Sequence, residues 1–472
     1  MTSWLRWGLA CTPLVLAGCA LTPPPARVDT PTAAVWHAPL PHGGAVDGLA
    51  AWWARWNDPL LVDLVERSQA LSPTVAQAAS RLAQARAAQQ SARAALGPTL
   101  DGQASAVRGF NEQLARVATT AQAGVQAGWE IDLWGGNAAA TRAAGERLAG
   151  AQAQWHEARV SVAAEVALLY RGWRSCLQQL EVAERDAASR AETARLSDAS
   201  ERAGFTPPAT AALARASAAE GRARAVQQRM QCEVDLKSLV ALTGMEEPAL
   251  RERAATAPPL PPESLMGLAS LPAQVLAQRP DVYSAERDVA AASADVGMAQ
   301  AQRYPRLSLQ GSVGVGSVRV SGGSTEATTW SIGPLALQLP LLDGGRRAAQ
   351  VDAAQARYDE AVALYRARVR QAVGEVEQAL VRLQASAERR ASADAAVQGY
   401  QASLQATEAR WRAGLASQVE LEDARRTALA AQSALLALQL ERESAWIALY
   451  RAAGGGWEPP AGAAQTAQTR TP

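Results

Sequence analysis

From residue 121 to 133 the chain alternates strictly. Ala121, Ala123, Val125, Ala127, Trp129, Ile131 and Leu133 interleave with Gln122, Gly124, Gln126, Gly128, Glu130 and Asp132. That is the two-residue period of a strand with one apolar and one polar face. Leu307, Leu309, Val313 and Val315 alternate in the same way with Ser308, Gln310, Ser312, Gly314 and Gly316. A similar pattern begins at Trp330 and Ile332, with a change of register expected around Pro334, and the faintest of four expected strands lies near Thr99 to Arg108. Elsewhere the period is helical. Sixty-seven residues without proline separate Gly136 from Gly204, and 68 separate Gly345 from Gly414. At ~1.5 Å per residue each predicts a helix of roughly 100 Å, whereas globular helices average about 11–12 residues. Such helices belong to a coiled-coil-like shaft rather than to a globular core.

These elements occur twice. Ser72-Pro73 opens a helical run that ends at Gly97-Pro98, and Arg279-Pro280 opens another that ends at Tyr304-Pro305, at an offset of 207. Trp129 to Gly136 corresponds to Gln338 to Gly345 at an offset of 209. Arg202-Ala203-Gly204-Phe205 matches Arg412-Ala413-Gly414-Leu415 at 210, as Leu242-Thr243-Gly244 matches Ala452-Ala453-Gly454. Four landmarks in one order, drifting by three residues, define an internal repeat of helix, strand, strand, very long helix, tight turn and helix. The expected organisation is a signal peptide over 1–18, a Pro-rich tether over 19–50, a first repeat over 51–250, a linker over 251–270, a second repeat over 271–457 and a disordered tail over 458–472.

Composition fits a shaft. Hydrophobic residues make up 48% of the chain but aromatics only 5%, and much of the apolar content is alanine, the best helix former. This suits thin, closely packed helices better than a wide core. The net charge of +1 provides no electrostatic case for nucleic acid. Arg6, the short apolar run from Leu9 to Ala20 and the order Leu16-Ala17-Gly18-Cys19 read as a targeting segment. The run is too short to span a bilayer. It resembles a bacterial lipobox, which makes Cys19 the lipidated first residue of the mature chain; Ala20 after it, rather than aspartate, implies the outer membrane. An ordinary signal peptide carrying a cysteine is the alternative.

Four short strands cannot close a barrel, and an open sheet edge is not tolerated in lipid. Three chains would supply twelve strands, enough to enclose a wet lumen lined by small and polar residues. Two soluble hairpins capping a helical bundle would show the same alternation. Trp129, Trp134 and Trp330 near strand ends suit an interfacial belt or simple packing.

Taken together, the lipobox, the duplicated plan, Leu341-Leu342-Asp343-Gly344-Gly345-Arg346 and the Ala-Gly turns resemble the TolC-type outer membrane factors. The lipoprotein branch, the NodT-like efflux lipoproteins of tripartite pumps, is the most similar. The resemblance covers residues 19–457. It implies an α+β membrane protein: a homotrimeric outer-membrane β-barrel, four strands per chain, continuing into a long periplasmic α-helical tunnel. It also implies a periplasmic adaptor protein and an inner-membrane pump as partners, and a passive exit duct for drugs or other toxic small molecules. An outlet for type I protein secretion and a lipid-tethered periplasmic scaffold are the rival readings.

The same resemblance places the two turns at the periplasmic tips, where the adaptor docks. It nominates Ala203, Gly204, Phe205, Ala413, Gly414, Leu415 and Ser417, although Thr206-Pro207-Pro208 departs from the usual small polar residues at the first tip. Glu420 and Asp423, spaced i, i+3 on one helix face, fall where acidic residues ring the narrowest part of such tunnels. The alternative is a solvated helix start favoured by the helix dipole. The equivalent positions of the first repeat, Thr210 and Leu213, are not acidic.

Of the four cysteines, Cys11 leaves with the signal and Cys19 takes the lipid. Cys176 and Cys232 lie 28 residues either side of Gly204, so an antiparallel hairpin folded there sets them opposite each other. In an oxidising periplasm the expectation is a disulfide, with two buried free thiols as the alternative. His37, His42 and His156 form no ligand pattern, no phosphate-binding Gly-Lys-Ser/Thr occurs, and no nucleophile–base pair stands out. No enzyme and no cofactor is expected.

Overall fold

The computed structural model describes residues 22–28, 49–258 and 279–457. The expected signal peptide, Cys19, residues 259–270 of the linker and the 458–472 tail lie outside the described residues. The elements follow the doubled order: α1 (Pro59–Leu71), α2 (Pro73–Ala94), β1 (Thr99–Asn111), β2 (Arg116–Ile131), α3 (Gly136–Arg202), α4 (Pro208–Thr243) and α5 (Glu247–Ala255). The second copy contributes α6 (Pro280–Ala301), β3 (Arg306–Val320), β4 (Gly323–Gln338), α7 (Arg346–Arg412) and α8 (Gln418–Ala452). Both long helices have 67 residues, ended by the glycines that bound them in sequence. Helix α5 runs past residue 250 into the stretch expected as linker, and a 3-10 stretch, Leu49–Trp56, already begins in the stretch expected as tether.

Two compact units form, each assembled from both repeats. One holds Ser80–Ala153 and Tyr283–Arg368 with the described residues before Thr30; the other holds the 3-10 stretch, α1, and the described residues of 154–282 and from Val369 on.

The first unit carries the sheet, an antiparallel meander in the order β1-β2-β3-β4. Its register sets like against like. Leu100 pairs with Ala127, Ala104 with Ala123, which pairs onward with Val315, and Val125 with Val313, which pairs onward with Trp330. On the other face Asp101 meets Gln126, which meets Ser312 and then Ser331. The expected shift at Pro334 is a bulge: β4 spends three residues from Ile332 to Leu335 where β3 spends two from Leu309 to Gly311. One extra residue, at Gly333 with φ +107°, keeps Trp330, Ile332, Leu335 and Leu337 all on the apolar face.

The second unit departs from the alanine-rich expectation. Its core is aromatic: Trp52, Trp56, Trp173, Trp446 and Tyr170 are each almost wholly buried, among Leu61, Leu64, Leu236, Leu239 and Leu380. Trp52 stacks on Tyr450 with ring centroids 4.7 Å apart. Seven of the chain's 23 aromatics gather in this one cluster, so a low average conceals a dense local core. Asp58 caps α1 through Leu60 and Leu61 N–H and accepts the Tyr170 hydroxyl at 2.8 Å. Burial pushes that hydroxyl up to about 12, so it stays a donor across the physiological range. Arg171 meets Glu443 at 2.6 Å, both buried.

Candidate functional site

The wall comes first. Its apolar face is open: Leu100, Phe110, Trp330, Ile332 and Leu335 are all largely exposed, as are Leu341 and Leu342 just beyond β4. A surface this apolar is unusual on a protein bathed only in water. It is the outer side of a membrane wall, with the polar residues of the other face toward a lumen. On that polar face Gly124 and Gly314 pair directly, and a Cβ on either would lie 2.8 Å from a carbonyl oxygen of the opposite strand. Trp129 donates its indole N–H to Leu96 O at 3.1 Å. Trp134 donates to Pro305 O at 2.7 Å and stacks on Tyr304. Among the described residues, β1 and β4 are each paired along one side only.

The tips lie in the second unit. Phe205 N–H reaches Ser200 O and Gly204 N–H reaches Glu201 O, both at 2.9 Å, with Gly204 at φ +77°. Leu415 and Gly414 repeat the pair of bonds to Arg410 and Trp411, with Gly414 at φ +74°. Both are Schellman endings, which need the left-handed residue that glycine supplies. Phe205 and Leu415 project outward at 85% and 70% exposure, leaving an apolar side chain on each tip beside Ala203 and Ala413. The restarts differ. Pro207 gives α4 no side-chain cap, whereas Ser417 opens α8 with a full capping box closed by Glu420.

Glu420 and Asp423 are both exposed in the protomer. Glu420 accepts Ser417 N–H at 2.6 Å and lies 3.8 Å from Arg410. The Ser417 bonds hold its carboxyl below the usual glutamate range. Asp423 pairs with Arg426.

The residue that sequence reasoning passed over stands between them. Glu422 turns inward from α8 and receives Arg190 of α3 at 2.7 Å, Ser217 of α4 at 2.5 Å, Gln418 at 3.0 Å and Arg425 at 3.2 Å. Arg190 also donates to Asp186 at 2.8 Å and is 4% exposed. It fits because Gly221 leaves room: a Cβ there would lie 2.8 Å from Arg190 Cδ. A mid-helix glycine in α4, costly by about 1 kcal/mol against alanine, was the available signal.

Cys176 and Cys232 are joined in the structure, Cα to Cα 5.5 Å, across the α3–α4 hairpin. Among the described residues no group of His, Cys, Asp and Glu is placed to hold a metal, and no helix is long and apolar enough to cross a membrane.

A four-stranded wall with one apolar face, carried on a pair of 67-residue helices, is the architecture of a TolC-type outer-membrane channel. The chain belongs to the outer membrane efflux protein family, whose model matches residues 64–245 and 271–455. It is 28% identical over 461 residues to the solvent efflux pump outer membrane protein SrpC of Pseudomonas putida, covering 94% of this chain and 97% of that one. It is 30% identical over 463 residues to the pyoverdine export outer membrane protein OpmQ of the same species, covering 94% and 96%. The solved outer-membrane channel OprN superposes with a TM-score of 0.81 at 28% identity, over 92% of this chain and 99% of that one. The protein is thus an outer-membrane efflux channel component that extends into the periplasm.

Proposed function

We propose that three copies of this chain close into one twelve-stranded barrel and act as the passive exit duct of a tripartite efflux system. The supporting observation is the sheet: one face apolar from β1 to β4, and two outer edges unpaired among the described residues. In lipid those edges need partners, and copies of the same chain supply them by joining β4 to β1. In this reading energy comes from an inner-membrane pump linked by a periplasmic adaptor. The adaptor docks on Ala203, Gly204, Phe205, Ala413, Gly414, Leu415 and Ser417, where each tip presents an apolar side chain. Cys19 carries the lipid. The cargo class is small organic molecules, the class exported by solvent and pyoverdine pumps.

Glu420 and Asp423 are proposed as the periplasmic gate. Three chains bring six carboxylates to one constriction, where mutual repulsion and bound cations suit a closable, selective ring. Single-channel conductance in a planar bilayer, native protein beside Glu420→Ala/Asp423→Ala, tests both statements. Small or rare openings that widen in the variant, or lose block by multivalent cations, support pore and gate. Identical conductance in both removes the gate assignment. Absence of any conductance from a folded, inserted trimer that has its adaptor bound rejects the duct.

A further inference from the structure

The apolar face of the sheet changes character toward one end. Gly102, Val125, Val313 and Trp330 form one row across the four strands, and Ala104, Ala123, Val315 and Thr328 form the next. Then come Ala106, Ala121, Ser317 and Glu326, and after them Arg108, Thr119, Arg319 and Ser324. That last row is polar on every strand. Three charged side chains of the strands stand on this face, Arg108, Arg319 and Glu326, and all belong to these last two rows. Asp101, Arg116, Glu130 and Arg306 lie on the other face, by the alternation of the same register. That other face changes in the opposite sense at the same height, where Val107 and Val318 flank Thr120. Only Phe110 and Val117 follow the polar row, at the end of the first hairpin.

The row lies at the outer end of the wall. Helices α2 and α6 lead into the sheet at Thr99 and Arg306, and α3 and α7 follow it after Ile131 and Gln338. The turns at 112–115 and 321–322 therefore close the end away from the periplasm. Leu307 and Arg319 stand on one face, twelve residue steps apart. At ~3.3 Å per step and a tilt of about 35–45° those steps climb roughly 30 Å. The apolar band of an outer-membrane barrel is only about 25 Å tall, so Arg319 stands level with the headgroups of the outer leaflet.

Both arginines are exposed, and neither has a hydrogen-bond or ion-pair partner among the described residues. Two strands separate them, about 10 Å between backbones, with the Thr119 side chain in the row between. Guanidinium groups take phosphate oxygens bidentately, and hydroxyls add single donors. Just below the row is a shallow hollow of about 610 Å³, lined on this face by Ala104, Ala106, Ala121, Ala123, Val315 and Glu326. Alanine side chains leave it smooth and apolar. We infer that this end of the wall is a binding site for a phosphorylated glycolipid of the outer leaflet, a headgroup of the lipid A type. Arg108, Thr119 and Arg319 hold its phosphates, and its acyl chains lie down over the alanines. The inference rests on the apolar face being the lipid face.

The test titrates the full-length protein, purified in detergent, with lipid A and with its dephosphorylated form, reading bound lipid by native mass spectrometry. Native protein should bind lipid A about tenfold or more tightly than the dephosphorylated form, and Arg108→Gln/Arg319→Gln should bring the two affinities together. Ala121→Phe fills the hollow without touching a charge and should weaken both lipids alike. Arg116→Gln, at the same end on the opposite face, should bind as native does. Equal binding of the two lipids by native protein, or a double variant that still tells them apart, overturns the site and leaves the arginines merely solvated. Loss of discrimination in Arg116→Gln, with the double variant unaffected, overturns it by reversing the faces of the wall. Phosphatidylglycerol bound as tightly as lipid A overturns the assignment to the glycolipid.

Discussion

Arg190 of α3 and Glu422 of α8 meet at 2.7 Å inside the second unit, so the two hairpins of one protomer are tied by a buried ion pair. Each partner is fully engaged, Arg190 by Asp186 and Ser217 and Glu422 by four donors. Removing one member of such a pair strands the other, at a cost of about 3–5 kcal/mol, whereas replacing both with apolar residues is close to neutral. Arg190→Ala alone should lower the unfolding temperature strongly, and Arg190→Met with Glu422→Leu should recover most of it. Calorimetry on the detergent-solubilised protein measures this. Because Glu422 sits between the proposed gate residues, the double variant should also conduct more readily than native. Equal loss of stability in the single and double variants would show that the pair is not coupled.

Adjacent residues of β3 should respond in opposite ways to one charge. Val313 lies on the apolar face, 55% exposed, and Ser312 on the polar face, bonded to Ser331 at 2.9 Å. Arginine at the bilayer midplane costs about 2–4 kcal/mol on the lipid side of a barrel and little on the lumen side. Val313→Arg should fail to give a heat-modifiable, membrane-inserted oligomer, and Ser312→Arg should insert normally. The reverse pattern would mean that the faces are assigned backwards.

The long helices were legible because glycine and proline punctuate them and 67 intervening residues carry no break. Strands β2 and β3 were legible through alternation; β1, with Gly102 and Arg108 on its apolar face and Val107 on its polar face, was faint and runs further than expected, to Asn111. The aromatic core was not legible, since Trp52, Trp173 and Trp446 lie far apart in sequence and only the fold collects them. Glu420 and Asp423 could be singled out from i, i+3 spacing. Glu422 could not, because a carboxylate's value in a buried cluster depends on Arg190, 232 residues away. Local periodicity is written in neighbours, whereas burial of a charge is decided by partners brought from elsewhere.

The capping box at α8 makes that tip acid-sensitive. The Ser417 backbone and side-chain bonds hold the Glu420 carboxyl below its ordinary range, helped by Arg410. A carboxyl depressed in the folded state contributes stability above its unfolded value, and that contribution is lost as pH falls through the folded value. Amides at 418–421 should therefore lose hydrogen-exchange protection, corrected for intrinsic rate, only below the usual glutamate range. Ser417→Ala should weaken the cap by about 1 kcal/mol at neutral pH and flatten the acid dependence. Protection that declines already near neutrality would assign the loosening to another group.

The Cys176–Cys232 link closes a loop of 56 residues in sequence separation around the first tip, and it joins α3 to α4 below Gly204. A crosslink of that span stabilises mainly by restricting the unfolded chain, typically by about 2–4 kcal/mol. The paired Cys176→Ser/Cys232→Ser variant should unfold at lower temperature and denaturant concentration than native. The single variants should fall at least as far, each leaving a lone thiol against Leu236 and Trp173 in the same core. Non-reduced peptide maps of periplasmically expressed protein should contain one joined peptide that reductant separates. Absence of that peptide would mean that the two cysteines are packed as thiols, and the double variant would then change stability only through exchanging two buried thiols for hydroxyls.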